Sequence, residues 1–207
     1  MSRHVFFSFD YADVKNFKVN VVRNSWLLSE EDESFVDGSI WEKSKIKRAL
    51  EIKAIIDKGL DGTSATAVLI GATTSSRRFV RYEIVKSFAK GNGIIGVHIN
   101  RIRGKAGITA RGLNPLDRLA MSISKDGKKI HFYELRNYRW RVFDDFPLVN
   151  NRKTNSVYAE DGIFFNNYGK SYVLSTLFPT YCWEKHDGRA NLSQWVDKAA
   201  SEARRTI

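Results

Sequence analysis

Residues 65–99 read ATAVLIGATTSSRRFVRYEIVKSFAKGNGIIGVHI, and this stretch decides the fold. Its first part, 65–70, is apolar apart from one Thr, which is typical of a central parallel strand buried on both faces. Apolar side chains then recur at helical spacing and predict a helix over residues 76–90. A second apolar run at 94–99 follows a Gly-Asn-Gly turn. The stretch therefore predicts a strand, a loop, a helix and a second strand.

The same alternation extends towards the N-terminus. Residues 5–9 are a short run of β-forming residues, followed by Asp10 and Asp13, which can cap a helix that runs towards Trp26. A brief strand at 34–36 precedes a helix that begins near residue 49. Four strands alternating with three helices predict an α/β fold with a doubly wound parallel sheet. Ligands of such sheets bind at the carboxyl ends of the strands.

Regular patterning weakens after residue 100. A basic loop follows, a later strand is predicted at 130–135, and a terminal helix is predicted near its end with Asn191 as the cap. The chain has only 3 Pro and no Pro-rich linker that would mark a boundary. We therefore predict a core over 1–100 and a C-terminal extension over 101–207 that packs on the core and is not an independent domain.

Composition narrows the class of protein. Apolar residues make up 43% and aromatic residues 13% of the 207, enough to close a core. Cys182 is the single cysteine, so no intrachain disulfide is possible, and no apolar stretch approaches the roughly 20 residues that span a bilayer. We predict a cytoplasmic protein with no membrane partner.

The net charge of +11 is concentrated in the second half of the chain. Residues 1–100 carry 15 Lys/Arg against 12 Asp/Glu, whereas residues 101–207 carry 19 against 11. A basic surface attracts nucleic acid, membranes and nucleotide phosphates through the same field. Charge alone therefore leaves the type of polyanion open, and a solvated basic face without a specific partner is an equal alternative.

The sequence lacks the motifs of several common enzyme and signalling chemistries. The four His residues are far apart in the sequence and no Cys pair exists, so we predict no metal site. The chain has no Gly-x-Ser-x-Gly elbow, no phosphate loop and no Gly-x-Gly-x-x-Gly fingerprint. A phosphorelay receiver would need an Asp at the end of the third strand, where this chain has Leu69-Ile70-Gly71. Receiver chemistry is excluded.

Two separated segments resemble TIR domains. In residues 73–83 a Ser-rich turn is followed by Phe79 and, one helical turn later, Glu83, like the TIR catalytic helix. Residues 5–13 are similar to the first TIR strand and its polar loop. Further segments resemble the TIR-like subfamily of bacterial Thoeris anti-phage defence: Arg23-Asn24-Ser25-Trp26, Ser39-Ile40-Trp41-Glu42, Val68-Leu69-Ile70-Gly71, Val80-Arg81-Tyr82-Glu83-Ile84 and Gly96-Val97-His98-Ile99-Asn100.

The chain also departs from that pattern. Many TIR enzymes have Trp where this chain has Phe79, and the position of Asp10 is often basic or His in relatives. An acidic Asp10 argues against a phosphate contact there and suggests a ribose hydroxyl instead.

The resemblance implies a TIR-like, flavodoxin-like fold and an enzyme that cleaves NAD with Glu83 as the catalytic residue. It implies NAD as substrate without a further cofactor. The product would be a cyclic ADP-ribose isomer that activates a separate Thoeris effector NADase. Homo-oligomerisation is left open.

The remaining site residues are expected at the carboxyl edge of the sheet. Backbone N–H groups of Ser75 and Ser76 are placed to bind the diphosphate, although these serines can equally act as simple helix caps. Phe9 and Trp41 are candidates to stack on adenine or nicotinamide, with core packing as the alternative. The predicted substrate-binding residues are thus Ser8, Phe9, Asp10, Trp41, Ser75 and Ser76.

Two other functions compete with NAD cleavage. A TIR scaffold that acts by oligomerisation or partner binding would not need Glu83. A nucleic-acid-binding protein would need aromatic residues interleaved with Lys and Arg along a groove. The sequence Tyr138-Arg139-Trp140-Arg141 is only a fragment of such a pattern, so nucleic acid is the least favoured partner.

Overall fold

The computed structural model describes residues 4–28, 34–38, 48–105, 107–150 and 169–203. Within them the main sheet has five parallel strands, whose bounds are β1 His4–Ser8, β2 Ser34–Asp37, β3 Ala65–Ile70, β4 Gly93–His98 and β10 Thr180–Cys182. They lie in the order β10-β4-β3-β1-β2. The four predicted strands are confirmed, and the sheet gains a fifth from near the end of the chain.

Helices connect and cover these strands. Their bounds are α1 Tyr11–Lys15, α2 Lys18–Leu27, α3 Ala49–Gly59, α4 Arg78–Lys90 and α5 Gly188–Ala203. A 3-10 turn, Thr74–Ser76, precedes α4, so that helix begins two residues later than predicted. No helix of the described part of the chain is long and apolar enough to cross a membrane.

Alternation along the strands sends side chains to two separate cores. Phe6 of β1 packs in a cluster with α3 and α4, whereas its neighbours Val5 and Phe7 pack on the opposite face with α2 and α5. The predicted doubly wound α/β sheet is therefore confirmed. This arrangement brings the carboxyl ends of all five strands to one edge.

A second sheet follows the first. Its strands are β5 Leu119–Ile123, β6 Lys129–Arg136, β7 Arg139–Val142, β8 Leu148–Asn150 and β9 Ser171–Val173. They run in the order β7-β6-β5-β9, and β8 also pairs with β6. The inward side chains of β5 and β6, such as Met121 and Phe132, belong to the same cluster as Phe6. The predicted later strand corresponds to β6.

Two helix predictions were wrong in detail. The helix expected from Asp10 to Trp26 is broken at Phe17, which has φ 62 and an exposed ring. The break lets the next residue, Lys18, turn inward and donate to Asn100 O at 2.8 Å. Asn191 is not the cap of the terminal helix, because α5 already begins at Gly188.

Candidate functional site

The carboxylate of Glu83 lies at the end of β1. Glu83 is 1% exposed, and the buried Ser8 hydroxyl donates a hydrogen bond to its Oε2 at 2.5 Å. Gly38, just after β2, donates its N–H to Phe7 O at 2.8 Å. A Cβ on Gly38 would stand only 2.9 Å from Glu83 Oε1, so a glycine is needed for the backbone to approach the carboxylate. The structure thus brings Ser8 and Glu83 together, as the predicted site requires.

Helix α4 directs Glu83 towards the sheet because its neighbours on that face are buried. Val80, Ile84 and Ser87 are all less than 5% exposed. The Ser87 hydroxyl donates to Glu83 O at 2.7 Å and accepts from Thr66 of β3, also at 2.7 Å. The helix is therefore hydrogen-bonded to the central strand beside the carboxylate, which fixes the backbone that carries it.

Asp10 is fully buried and clamps two loops together. Its carboxylate accepts from Arg77 Nε at 2.7 Å and Nη2 at 2.8 Å, from the Thr73 hydroxyl at 2.5 Å and from Ala12 N at 3.0 Å. Burial alone would raise the pKa of Asp10, but the hydrogen bonds from Arg77 and Thr73 outweigh it, and the pKa is lowered. The bond to Ala12 N confirms Asp10 as the cap of α1.

These four hydrogen bonds occupy the lone pairs that a carboxylate offers. A ribose hydroxyl would have to displace Arg77 or Thr73, so a contact between Asp10 and ribose stays a prediction. Replacement of Asp10 should cost stability as well as any substrate contact, because the side chain is 0% exposed and holds a bidentate ion pair.

The other predicted contacts are placed as follows. Phe9 is 3% exposed in the core that α2 covers, and the Arg23 guanidinium lies 4.9 Å from its ring centre. Ser75 is buried, with its carbonyl accepting from Arg81 at 3.0 Å. The exposed Ser76 hydroxyl donates to Thr73 O at 2.7 Å, so it does not cap α4. Trp41 lies outside the described residues. Substrate contacts of these residues stay predictions.

The structure adds a buried acid that sequence reasoning had treated only as a helix cap. Asp13 is 6% exposed, its Oδ2 has no hydrogen-bond partner within the described residues, and it lies against Gly71. Burial, followed by the charge of Asp10, raises the pKa of Asp13 to about 6, against the influence of Lys18 and Arg77. No local pattern in the sequence distinguishes it from an exposed Asp in a first helical turn.

The described residues at this edge of the sheet show no metal-binding geometry. Within the described ranges, no three or more His, Cys, Asp or Glu side chains are grouped so as to hold a metal ion. Among the residues that the structure describes, three carboxylates lie near the carboxyl ends of β1 and β3. Ser8 contacts Glu83, Arg77 neutralises Asp10, and Asp13 is buried beside Gly71.

Comparisons with known proteins agree with this architecture. Residues 6–103 match the family model described as "Thoeris protein ThsB, TIR-like domain". A protein of Bacillus cereus (strain MSX-D12) named putative cyclic ADP-D-ribose synthase ThsB1 is 42% identical over 200 residues, which cover 95% of this chain and 100% of that protein. With similarity over nearly its whole length, and with a buried glutamate at the carboxyl edge of a TIR-like sheet, the chain belongs to the ThsB family of Thoeris proteins.

Proposed function

We propose that this protein cleaves NAD, releases nicotinamide and closes the remaining ADP-ribose into a cyclic signal. The observation that carries the proposal is the contact between Ser8 and Glu83, which holds one carboxylate at the edge where such sheets bind ligands. Membership of the ThsB family supports it, because the similar Bacillus cereus protein is named a putative cyclic ADP-D-ribose synthase.

One carboxylate is chemically sufficient for this reaction. The bond that breaks joins the ribose C1′ to a cationic nicotinamide, so the leaving group departs neutral with the electron pair and needs no proton. Ordinary glycosides need a second carboxyl group because their leaving alkoxide must be protonated. Glu83 would stabilise the positive charge that develops on the ribose ring and accept hydrogen bonds from its hydroxyl groups.

Cyclisation requires a nucleophile from the same molecule. A hydroxyl of the ADP-ribose portion attacks C1′, forms the new C–O bond and loses its proton to solvent. A folded substrate in a water-poor site favours this attack over hydrolysis, because the internal hydroxyl acts at a high effective concentration. The burial of Glu83 and Ser8 supports a site of low water content.

The same burial bears on activation. With Glu83 1% exposed and Gly38 next to its carboxylate, ribose can reach the oxygens only if this contact opens. We therefore expect low activity in the resting protein and higher activity in infected cells. The product would then diffuse to a separate effector NADase of the same defence system, which is the proposed functional partner.

The catalytic assignment is tested with Glu83→Gln, which keeps the shape of the side chain and removes its charge. Nicotinamide release from NAD, measured in lysates of infected cells that express the chain, should be abolished, while the circular dichroism spectrum and melting point of the purified variant stay close to those of the wild type. The matched control is Glu51→Gln, since Glu51 is exposed in α3. Full activity of Glu83→Gln would exclude the mechanism.

The signalling role is tested with filtrates. A protein-free filtrate of infected cells that express this chain should activate the effector NADase, and a filtrate from Glu83→Gln cells should not. If activation requires the protein itself, the diffusible signal is wrong and a scaffold that acts by assembly is favoured.

A further inference from the structure

A cleft opens at the carboxyl ends of β4 and β10. These strands pair in parallel, with Cys182 opposite His98. The cleft has a volume of about 580 Å³, within the range of small-molecule sites. It lies at the same edge of the sheet as Glu83 but on the other side of β3.

The walls of this cleft are positively charged. Arg101, Arg111 and Lys185 line it together with a single carboxylate, Asp117, which leaves an excess of two positive charges. All three cations are exposed, and none forms an ion pair with any described residue. Unpaired cations that converge on a concave surface attract anions more strongly than scattered ones.

Histidines add neutral donors. The Arg111 guanidinium lies 3.2 Å from His98 Nε2, and since Arg can only donate, this nitrogen accepts and the proton sits on Nδ1. His98 is 4% exposed, and its Nδ1 has no partner within the described part of the chain. Burial, then the charge of Arg111, lowers the pKa of His98, which keeps it neutral. His186 accepts from Cys182 N through Nδ1 at 2.9 Å, so its Nε2 carries a proton.

The position of Arg111 is fixed by its neighbour. Gly112 packs so closely on the carbonyl of Gly71, which follows β3, that a Cβ would overlap with the carbonyl oxygen. On the other side, Asn114 donates to the Thr180 hydroxyl at 3.0 Å. The segment that presents Arg111 is thus held against both β3 and β10, and the guanidinium itself contacts His98 at 3.2 Å.

We propose that this cleft binds the phosphate groups of a nucleotide, with Arg101, Arg111 and Lys185 as the cationic contacts. Arginine fits phosphate oxygens with two parallel hydrogen bonds, and lysine adds a point charge. His98 lines the same cleft and contacts Arg111, so it helps to place that guanidinium.

Two sources of phosphate fit this chemistry. The first is the diphosphate of an NAD molecule bound at Glu83. Glu83 lies at the end of β1, and β4 is two strands away from β1 in the sheet, which is roughly 10 Å at ordinary strand spacing. A separate phosphate-bearing nucleotide that binds beside the substrate is the second. The first source rests on the proposed function; the second does not.

The test is calorimetric binding of ADP to the Glu83→Gln protein, which reports binding without turnover. ADP should bind and adenosine should not. Arg101→Gln with Arg111→Gln, and Lys185→Gln alone as a milder variant, should weaken ADP binding, the double change by about tenfold or more. The matched control is Arg139→Gln with Arg141→Gln, which removes the same charge from the exposed strand β7.

Each outcome decides a point. Undetectable ADP binding, binding of adenosine equal to that of ADP, or equal weakening by the β7 control would overturn the proposal. If NAD displaces ADP and binds the double variant more weakly, the phosphates are those of the substrate. If NAD and ADP bind together, they belong to a second nucleotide. Activity that persists in Glu83→Gln would overturn the proposed function and leave the cleft unaffected.

Discussion

Replacement of Asp13 by Asn should stabilise the protein, although it removes a charge near the candidate site. Asp13 is 6% exposed and its Oδ2 has no described hydrogen-bond partner, so the folded state disfavours its charged form. Asn has nearly the same size and cannot ionise. The change therefore isolates the free-energy cost of the buried charge.

The magnitude follows from the pKa of Asp13, raised from 3.8 to about 6. A shift of about 2 pH units corresponds to about 3 kcal/mol of unfolding free energy. Between these values the folded state binds the proton more tightly than the unfolded state, so stability falls as pH rises through this window. The gain from Asp13→Asn should thus be about 3 kcal/mol near pH 7.5 and close to zero below about pH 4.

Urea unfolding of wild type and Asp13→Asn across this pH range measures the gain from the shift of the midpoint. Asp10→Asn is the control of opposite sign, because the pKa of Asp10 is lowered. Its contribution to stability is present above the unfolded pKa and lost as pH falls, so Asp10→Asn should destabilise most at neutral pH. A gain from Asp13→Asn that is negative, or equal at both ends of the range, would refute the reasoning.

Three further outcomes are expected. Ser8→Ala leaves the Glu83 carboxylate without its 2.5 Å hydrogen bond, and should lower nicotinamide release roughly tenfold to a hundredfold while the protein stays folded by circular dichroism. Gly38→Ala places a Cβ 2.9 Å from both Glu83 Oε1 and Phe7 O, and should lower the unfolding free energy by about 1–3 kcal/mol in urea titrations. Truncation after Asn100 removes β10 and α5, and should give an aggregating product in size-exclusion chromatography.

The main sheet was predictable because its central strands produce patterns that can be recognised in the local sequence. β3 is buried at all six positions and β4 likewise, so both appear in the sequence as continuous apolar runs. The apolar spacing of α4 marks the helix between them. The end of α4 at Gly91, with φ 82, also follows from local chemistry, since glycine tolerates the left-handed conformation.

The strand β10 could not be found in this way. It has three residues, all half-buried, and its partner β4 lies more than eighty residues earlier in the chain. Neither its length nor its polarity produces a period that a sequence window detects. The short strands of the second sheet were not predicted for the same reason. In contrast, β6 was predicted, because it has eight residues with alternating burial.

The candidate site likewise contains residues that local sequence patterns predict and features that arise only from contacts between distant segments. Glu83 was predicted as a site residue because its helix carries a motif, and Ser8 because it lies at the end of a strongly apolar strand. The clamp between Asp10 and Arg77 depends on two loops that meet only in the folded chain. The raised pKa of Asp13 arises from burial, which no pattern of neighbouring residues specifies.

The three carboxylates at this edge show why one is suited to the proposed reaction. The charge of Asp10 is offset by a bidentate Arg77, so it adds little field where ribose would bind. Asp13 is buried against Gly71, and this burial raises its pKa and so disfavours its charged form. The Glu83 carboxylate accepts a hydrogen bond from the neutral Ser8 hydroxyl, which orients the group without adding a positive charge. A carboxylate oriented in this way can stabilise the cation that develops on ribose when the leaving group needs no proton.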